Sequence, residues 1–280
     1  MTRTWSRGWP AVALLLVFAP AAWAAPARMP RPGALNSVQG QVTVDGREVV
    51  PARIRSEALG AKQAIRTWRG RAELLLTPGT YLRIGNHSEA RLLSRSLENT
   101  RVRVVRGTAL LEAEAGYKSD LTVEMDGTRT KIDKKGLYGF NASRKAIAVL
   151  HGKATVYDGQ SRVTLKNNRH LLIGSEKRLR PGKLNKRAFQ STPLFRWSML
   201  RNRYEAEAKR SVQRQLAQTG RWYGPGWYWS GFWGFYTYLP SAGWYAGPYF
   251  APYGPPYLYG PWGWGGWGGG WWGDGDGDGI

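Results

Sequence analysis

The sequence contains no cysteine and only three histidines among its 280 residues. Without cysteine the chain has no disulfide bond, no lipoprotein anchor and no thiol nucleophile. His87, His151 and His170 show no metal-ligand spacing, so we interpret each as an ordinary strand or turn residue. The chain also lacks a Gly-x-Ser-x-Gly elbow, a Walker loop and a dinucleotide fingerprint. We therefore predict no cofactor, no metal site and no enzymatic activity.

Acidic residues are scarce as well. Nineteen Asp and Glu stand against 41 Lys and Arg, which gives a formal net charge of +22. In a cytosolic protein this excess would suggest nucleic acid as a partner. Glu112, Glu114 and Glu124 are the carboxylates that could in principle form a pair for glycoside hydrolysis. A polysaccharide hydrolase is therefore kept as an alternative function.

No apolar run reaches the roughly 20 residues needed to span a bilayer. Residues 1–24 instead have the parts of a secretory signal peptide: two arginines, an apolar run interrupted by Pro20, and small residues at Ala22 and Ala24. We expect cleavage after Ala24, with a retained anchor as the alternative. The mature protein is then periplasmic or secreted, begins with a proline-rich leader at 25–34, has no transmembrane span and meets no nucleic acid.

Short strands with alternating apolar residues are predicted throughout residues 35–174. Apolar side chains recur at every second position around three glycines, as in a strand with one buried face. The three fragments share the pattern [Val/Leu]-x-Gly-x-[Val/Ala]-x-[Val/Leu] and occupy Val38–Val44, Val105–Leu111 and Leu150–Val156. A glycine within such a pattern indicates a bulge or a bend.

Turn signals occur between several of these segments, at 77–80, 125–128 and 166–169. Pro-Gly, Asp-Gly and Asn-Asn suit tight turns, so each position is predicted to be a hairpin. Together, the strands and turns predict a mainly β domain of stacked short strands and hairpins, either a β-sandwich or a β-solenoid.

Residues 58–84 contain Ile65-Arg66-Thr67, then Ala72-Glu73-Leu74, a glycine turn and a further strand. This arrangement resembles the core of the FecR domain, in which Ile65-Arg66-Thr67 would match a strand end and Ala72-Glu73-Leu74 the next strand. The resemblance covers about half of the chain. Lys62 stands where the family often has an acidic residue, so no role of that carboxylate is carried over.

The best-known FecR proteins combine a cytoplasmic region that controls a sigma factor with a membrane helix and a periplasmic part. This chain begins with an export signal, so we do not extend the sigma-factor function to it. The resemblance implies an exported β module that contacts other envelope components.

Residues 175–192 form a basic linker with six Lys or Arg against one acid, Glu176. The linker is either a solvated connection or a patch for anionic envelope polymers or lipid headgroups.

An amphipathic helix is predicted at 193–219. Thr192 is a suitable N-cap and Pro193 is tolerated at the first helical position. Apolar residues spaced by three or four form one stripe, namely Leu194, Trp197, Leu200, Tyr204, Ala208, Val212 and Leu216. We interpret the stripe as packing on the β domain, with pairing to a second copy as the alternative. The solvated face is predicted to hold Arg201, Arg203, Lys209, Arg210 and Arg214.

The remaining tail, 220–280, is aromatic and rich in glycine. Residues 222–273 contain 10 Trp, 9 Tyr and 15 Gly and no charged residue. A hairpin or a strand lying on the β domain is predicted at 227–238, and low-complexity chain after it. The tail could dock on the basic β domain, bind glycans or envelope surfaces, or self-associate. The candidate ligand contacts are Trp222, Trp227, Trp229, Trp233, Tyr236 and Tyr238.

The chain ends with Asp274, Asp276 and Asp278 alternating with glycine, which matches only the first half of a calcium loop. We interpret this end as a solubilising acidic cap. The whole sequence predicts an exported, non-catalytic, FecR-like protein that binds an envelope component, either a protein or an anionic or glycan polymer. The alternatives are a periplasmic sensor that signals to a membrane partner, and the hydrolase.

Overall fold

A computed structural model shows a mainly β protein with one long helix, as predicted. It describes residues 30–114, 120–174, 179–219 and 224–240. Several predicted features lie outside the described residues: the signal peptide, nearly all of the leader, residues 175–178 of the basic linker, Trp222, the low-complexity chain after residue 240 and the acidic end.

Fifteen strands within the described part of the chain form one continuous sheet. They are β1 (Ala34–Val44), β2 (Arg47–Glu48), β3 (Ala64–Leu75), β4 (Thr80–Ile84), β5 (Glu89–Arg95), β6 (Thr100–Arg106), β7 (Thr108–Ala113), β8 (Thr122–Met125), β9 (Thr128–Ile132), β10 (Gly136–Asn141), β11 (Ala146–His151), β12 (Ala154–Asp158), β13 (Ser161–Leu165), β14 (Arg169–Leu172) and β15 (Gly182–Lys183).

The sheet folds back on itself into a sandwich. One half, here called the open half, has the order β13-β12-β9-β8-β6-β5, and the other, the covered half, has the order β4-β7-β10-β11-β14-β15. The long strand β3 joins them, since its first residues pair with β5 and its last residues pair with β4. One apolar core fills the space between the halves; it includes Val102 and Val123 of the open half and Leu111 and Ile147 of the covered half.

The glycine fragments mark the corners of the sandwich. Gly107, with φ of +75°, lies where the chain passes from β6 to β7, and Gly152, with φ of +99°, lies between β11 and β12. At both points the chain crosses from one half to the other. Gly40 faces Gly70 across the β1–β3 pair, next to a register shift. The predicted bends are therefore confirmed.

Two of the three predicted hairpins are confirmed. Residues 77–80 connect β3 to β4, and residues 125–128 connect β8 to β9. The prediction at 166–169 is wrong, because β13 pairs with β12 whereas β14 pairs with β11 and β15. The chain leaves the open half at this turn and enters the covered half.

Two helices and a second small sheet follow. They are α1 (Lys186–Gln190), α2 (Pro193–Thr219), β16 (Gly226–Ser230) and β17 (Phe235–Leu239). The predicted N-cap is present, because the Thr192 hydroxyl accepts a hydrogen bond from the Phe195 amide at 3.3 Å. β16 and β17 form the hairpin expected at 227–238. Among the described residues, no helix is long and apolar enough to cross a membrane.

Helix α2 and the β16–β17 hairpin lie on the outer face of the covered half. Leu194 and Trp197 of α2 pack against Leu110 of β7 and Leu137 of β10. Trp227 of the hairpin belongs to a separate cluster with residues of β1, β3 and β4. Both faces of the covered half are therefore buried at β4, β7 and β10, which explains why every residue of β4 is buried.

Candidate functional site

Polar side chains cluster on the outer face of the covered half. In β3 and β4 the residues that point into the core alternate with Glu73, Tyr81 and Arg83, which point towards α2. Glu73 is the direct cross-strand neighbour of Arg83, and Tyr81 is the neighbour of Glu112 on β7. The register of three strands thus assembles a group of ionisable residues beneath the helix.

Arg83 lies at the centre of this group and is completely buried. Its guanidinium donates to Glu73 at 2.6 Å and to Glu112 at 2.5 Å. The same group also donates to the Ser198 hydroxyl of α2 at 2.5 Å. Burying a charged group is unfavourable unless it is paired and hydrogen-bonded, and Arg83 has both kinds of partner.

Helix α2 contributes a matching polar stripe. Arg201 donates to Glu73 at 2.8 Å, and Lys209 donates to Glu114 at 2.5 Å. Asn202 donates to both carboxylate oxygens of Glu112 at 2.9 Å. The helix is therefore held on the sheet by ion pairs and hydrogen bonds as well as by apolar contacts.

This stripe corrects the predicted orientation of α2. The sequence pattern places Arg201 and Lys209 on the solvated face, but they are only 6% and 7% exposed, whereas Leu200 of the predicted apolar stripe is 43% exposed. The reason is that the sheet beneath α2 presents charges, so the best-matched face of the helix is partly polar. Arg203 and Arg210 do lie in solvent as predicted.

Asn36 of β1 connects the hairpin to the cluster. Its amide exchanges hydrogen bonds with the backbone of Tyr236, at 2.7 Å and 3.0 Å, and donates to Glu73 at 2.9 Å. Tyr81 donates to Glu205 of α2 at 2.9 Å. We call the complete set the buried charge cluster; its members are Asn36, Glu73, Tyr81, Arg83, Glu112, Glu114, Ser198, Arg201, Asn202, Glu205 and Lys209.

The pKa values of two carboxyl groups in the cluster move in opposite directions. Burial would raise the pKa of Glu73, but the guanidinium groups of Arg201 and Arg83 lower it to about 2. Burial and the nearby Glu73 carboxylate raise the pKa of Glu205 to about 8. At neutral pH the Glu205 carboxyl group thus carries a proton.

The cluster contains no accessible pair of carboxylates. Glu112 is fully buried, and the pKa of Glu114 is raised by burial although its carboxylate pairs with Lys209. Glu124, the third residue of the suggested pair, lies on the open half and accepts from Arg101 and Arg103. Within the described residues, no group of three or more potential ligands is arranged to hold a metal ion.

The structure separates the aromatic candidates into two groups. Trp227, Tyr236 and Tyr238 are buried, and Trp227 meets Tyr81 edge-on with centroids 5.1 Å apart. Trp229 and Trp233 are only partly buried. Ligand contact by Trp229 and Trp233 remains a prediction, whereas the buried three hold the hairpin on the sheet.

The open half carries its charges in solvent. Arg101, Arg103 and Arg129 project outward, since the residues between them point into the core. Sequence reasoning did not single out this face. The sequence does contain a pattern that predicts this face, because arginine alternates with valine along β6.

Comparison with known proteins adds little to this description. No family model matches the chain, and neither does any curated protein. Two crystal structures of a "putative anti-sigma factor" from Parabacteroides distasonis are similar in part. One is 16% identical with a TM-score of 0.38 and covers 43% of this chain and 59% of that one. The other is 14% identical with a TM-score of 0.38 and covers 45% and 63%. The chain thus spans about three fifths of the length of these two proteins. Such partial matches identify neither a family nor a function.

Proposed function

We propose that the protein is an exported, non-catalytic binding or assembly module of the cell envelope. The difference between the two outer faces of its sandwich carries this proposal. On the covered half the ionisable groups pair with one another beneath α2, whereas on the open half arginine side chains such as Arg103, 51% exposed, meet solvent. Groups suited to acid–base chemistry are thus withheld from a substrate, and groups suited to binding are available.

Two further observations support the proposal. The signal-like residues 1–24 favour export. The positions of the carboxylates suggested for a hydrolase also support it, since Glu112 is buried beneath α2, Glu114 pairs with Lys209, and Glu124 lies among arginines on the open half.

The test is a pull-down of the mature chain, residues 25–280, with insoluble envelope fractions of the producing organism. A chain that ends at Pro240 is the matched control, because it keeps the hairpin that packs on Tyr81. We expect both to bind. Binding by the longer chain alone would move the function into the tail beyond residue 240, and no binding by either would contradict the proposal.

The sensor alternative gains support from the way α2 is held. A helix fixed by ion pairs and by one protonated carboxyl group, Glu205, responds to conditions that leave an apolar interface unchanged. Hydrogen exchange at about pH 6 and pH 9 tests this alternative, with greater loss of protection in α2 than in β7 expected at the higher pH. Equal protection of α2 at both values would remove the support.

A further inference from the structure

We propose that the outer face of the open half binds a linear anionic polysaccharide. The inference rests on the proposed function and names the chemistry of the partner. It is carried by a row of cross-strand neighbours on this face and by an exposed tryptophan, Trp68, on the adjoining strand β3.

The row crosses six strands of the open half. Each of its members pairs directly with the next: Arg91, Arg103, Glu124, Arg129, Tyr157 and Arg162. Direct cross-strand neighbours point to the same face and lie about 4.8 Å apart, so the row is ~24 Å long. A polyanion that lies along the row meets four arginines, which are its first, second, fourth and sixth members, and one carboxylate, Glu124.

Cations outnumber acids around the row. Eight project from this face, and they are Arg66, Arg91, Arg101, Arg103, Arg106, Arg129, Lys131 and Arg162. The carboxylates among them are Glu89, Asp120, Glu124 and Asp133. Glu89 is within 3.8 Å of two arginines, and Glu124 accepts from two others, so the acids position the guanidinium groups without neutralising all of them.

An aromatic platform lies at the β3 end of the face. Trp68 is 50% exposed, and together with Arg66, Glu89, Val105 and Arg106 it lines a shallow depression. The Arg106 guanidinium lies 5.8 Å from the centre of the Trp68 ring. An exposed ring beside fixed cations suits a sugar that carries an acidic group, because the ring stacks on the sugar face while an arginine binds the acid.

The same face would attract other polyanions, and the tryptophan together with the predicted export favours the polysaccharide. Nucleic acid is a partner for chains that remain in the cytosol. A bilayer presents headgroups as a plane and makes no use of a single row. Both are outcomes of the test.

The experiment uses the full mature chain and polygalacturonate as the probe, with neutral dextran as the uncharged polymer. The first variant carries Arg91→Gln, Arg103→Gln and Arg129→Gln. The control variant removes three exposed arginines from the solvent face of α2, by Arg196→Gln, Arg203→Gln and Arg214→Gln. Both variants lose the same charge, so they differ only in where it is lost. Circular dichroism checks that both remain folded.

We expect the wild type to bind polygalacturonate and not dextran. Exposed ion pairs contribute a factor of about two to five each, so the row variant should bind ~10-fold more weakly or worse, and the control within about twofold of the wild type. A third variant, Trp68→Ala, should weaken binding about fivefold without changing its salt dependence.

Equal losses in the row and control variants would overturn the proposal, because the +22 net charge alone would then account for binding. Binding to phosphatidylglycerol vesicles or to a single-stranded oligonucleotide but not to polygalacturonate would overturn it as well. A row variant that still binds envelope fractions as the wild type does would refute this surface while leaving the proposed function intact. If the wild type binds polygalacturonate but not the envelope fractions, the proposed function is refuted.

Discussion

Glu73 is the residue on which the buried charge cluster most depends. Its two oxygens serve Arg83, Arg201 and Asn36, so one carboxylate links β1, β4 and α2. Removing one partner from a buried ion pair leaves the other charge without compensation. We therefore expect Glu73→Gln to lower the free energy of unfolding by about 3 to 5 kcal/mol in urea denaturation.

The matched control is Glu124→Gln, which also removes a carboxylate that accepts from two arginines, Arg101 and Arg103. Because those arginines are exposed, its cost should be about 1 kcal/mol or less. Equal costs for the two substitutions would mean that the cluster beneath α2 is not sealed from water.

Gly107, at the corner between β6 and β7, is required for two reasons: its backbone conformation is left-handed, and the neighbouring atoms leave no room for a side chain. Its φ is +75°, and a Cβ there would lie 2.2 Å from the Ser88 hydroxyl oxygen and 2.7 Å from the His87 carbonyl oxygen. Gly127 has a similar φ of +78°, but a Cβ at that position would have no neighbouring atom within 4 Å.

We expect Gly127→Ala to cost about 1 to 2 kcal/mol, since only the left-handed backbone is unfavourable. Gly107→Ala should cost that amount and a further ~1 to 3 kcal/mol for crowding. Thermal denaturation of both variants measures the difference. Equal melting temperatures would show that the corner can relax around a methyl group.

At the scale of elements, the orientation of α2 is the arrangement that sequence reasoning assigned incorrectly. Hydropathy predicts that a substitution at Leu200 destabilises the protein more than one at Arg201, whereas the structure predicts the reverse. Leu200→Gln changes an apolar residue in solvent and should cost about 1 kcal/mol or less. Arg201→Gln changes a buried partner of Glu73 and should cost ~3 kcal/mol or more. Urea denaturation of the two variants distinguishes the two faces, and a larger cost at Leu200 would restore the face that hydropathy predicts.

The length, N-cap and existence of α2 were predictable because they follow from local residues such as Thr192 and Pro193. Its orientation was not, since it depends on Glu73, Arg83 and Glu112, which lie more than 80 residues earlier in the chain. Charged residues on a helix indicate its solvent-exposed face only when the surface on which the helix packs is apolar. Here that surface is charged, because the register of β3, β4 and β7 brings Glu73, Arg83 and Glu112 together, and local sequence patterns do not reveal this register.

The buried aromatic residues of the β16–β17 hairpin hold it on the sheet, whereas those near the surface contribute less. Trp227 is 6% exposed and contacts both Tyr81 and Tyr238, whereas Trp233 is partly buried and stacks on Tyr204, itself 38% exposed. We expect Trp227→Ala to cost about 3 to 5 kcal/mol, as for a buried aromatic residue.

Trp233→Ala should cost ~1.5 kcal/mol or less, because the lost ring contact is near the surface. Near-ultraviolet circular dichroism during denaturation follows both variants. A larger loss for Trp233 would contradict the packing of the hairpin.

For the molecule as a whole, composition predicted an excess of positive charge but not its distribution. The alternation of residues was sufficient to predict a mainly β domain, and the glycines in the repeated fragments predicted its bends. The alternation did not show which outer face would be covered, because β4 and β6 each place an arginine between two apolar residues. Arg83 of β4 is buried and Arg103 of β6 is exposed only because α2 returns to one half of the sandwich and not to the other.

The stability of the whole molecule should depend on pH chiefly through Glu73 and Glu205 of the buried charge cluster, with Glu114 acting in the same direction as Glu205 because burial raises its pKa too. The pKa of Glu73 is about 2 in the folded protein against an ordinary 4.5, so its contribution is complete above pH 4.5 and is lost as the pH falls towards 2. Glu205 keeps its proton up to about pH 8 in the folded protein, so stability falls as the pH rises from 4.5 to 8 and is level above that.

The free energy of unfolding should therefore be greatest near pH 5, with a decline on each side. The substitution Glu205→Gln replaces the protonated carboxyl group with a neutral amide of the same shape. It should reduce the decline between pH 5 and about 8 to the part that comes from the raised pKa of Glu114, and it should keep the decline below 4.5. The variant should therefore lose less stability than the wild type between pH 5 and 9. Melting temperatures of both proteins across this range provide the measurement. A wild-type profile that is level from pH 5 to 8 would mean that Glu205 is ionised beneath α2, within reach of the Glu73 carboxylate that raises its pKa.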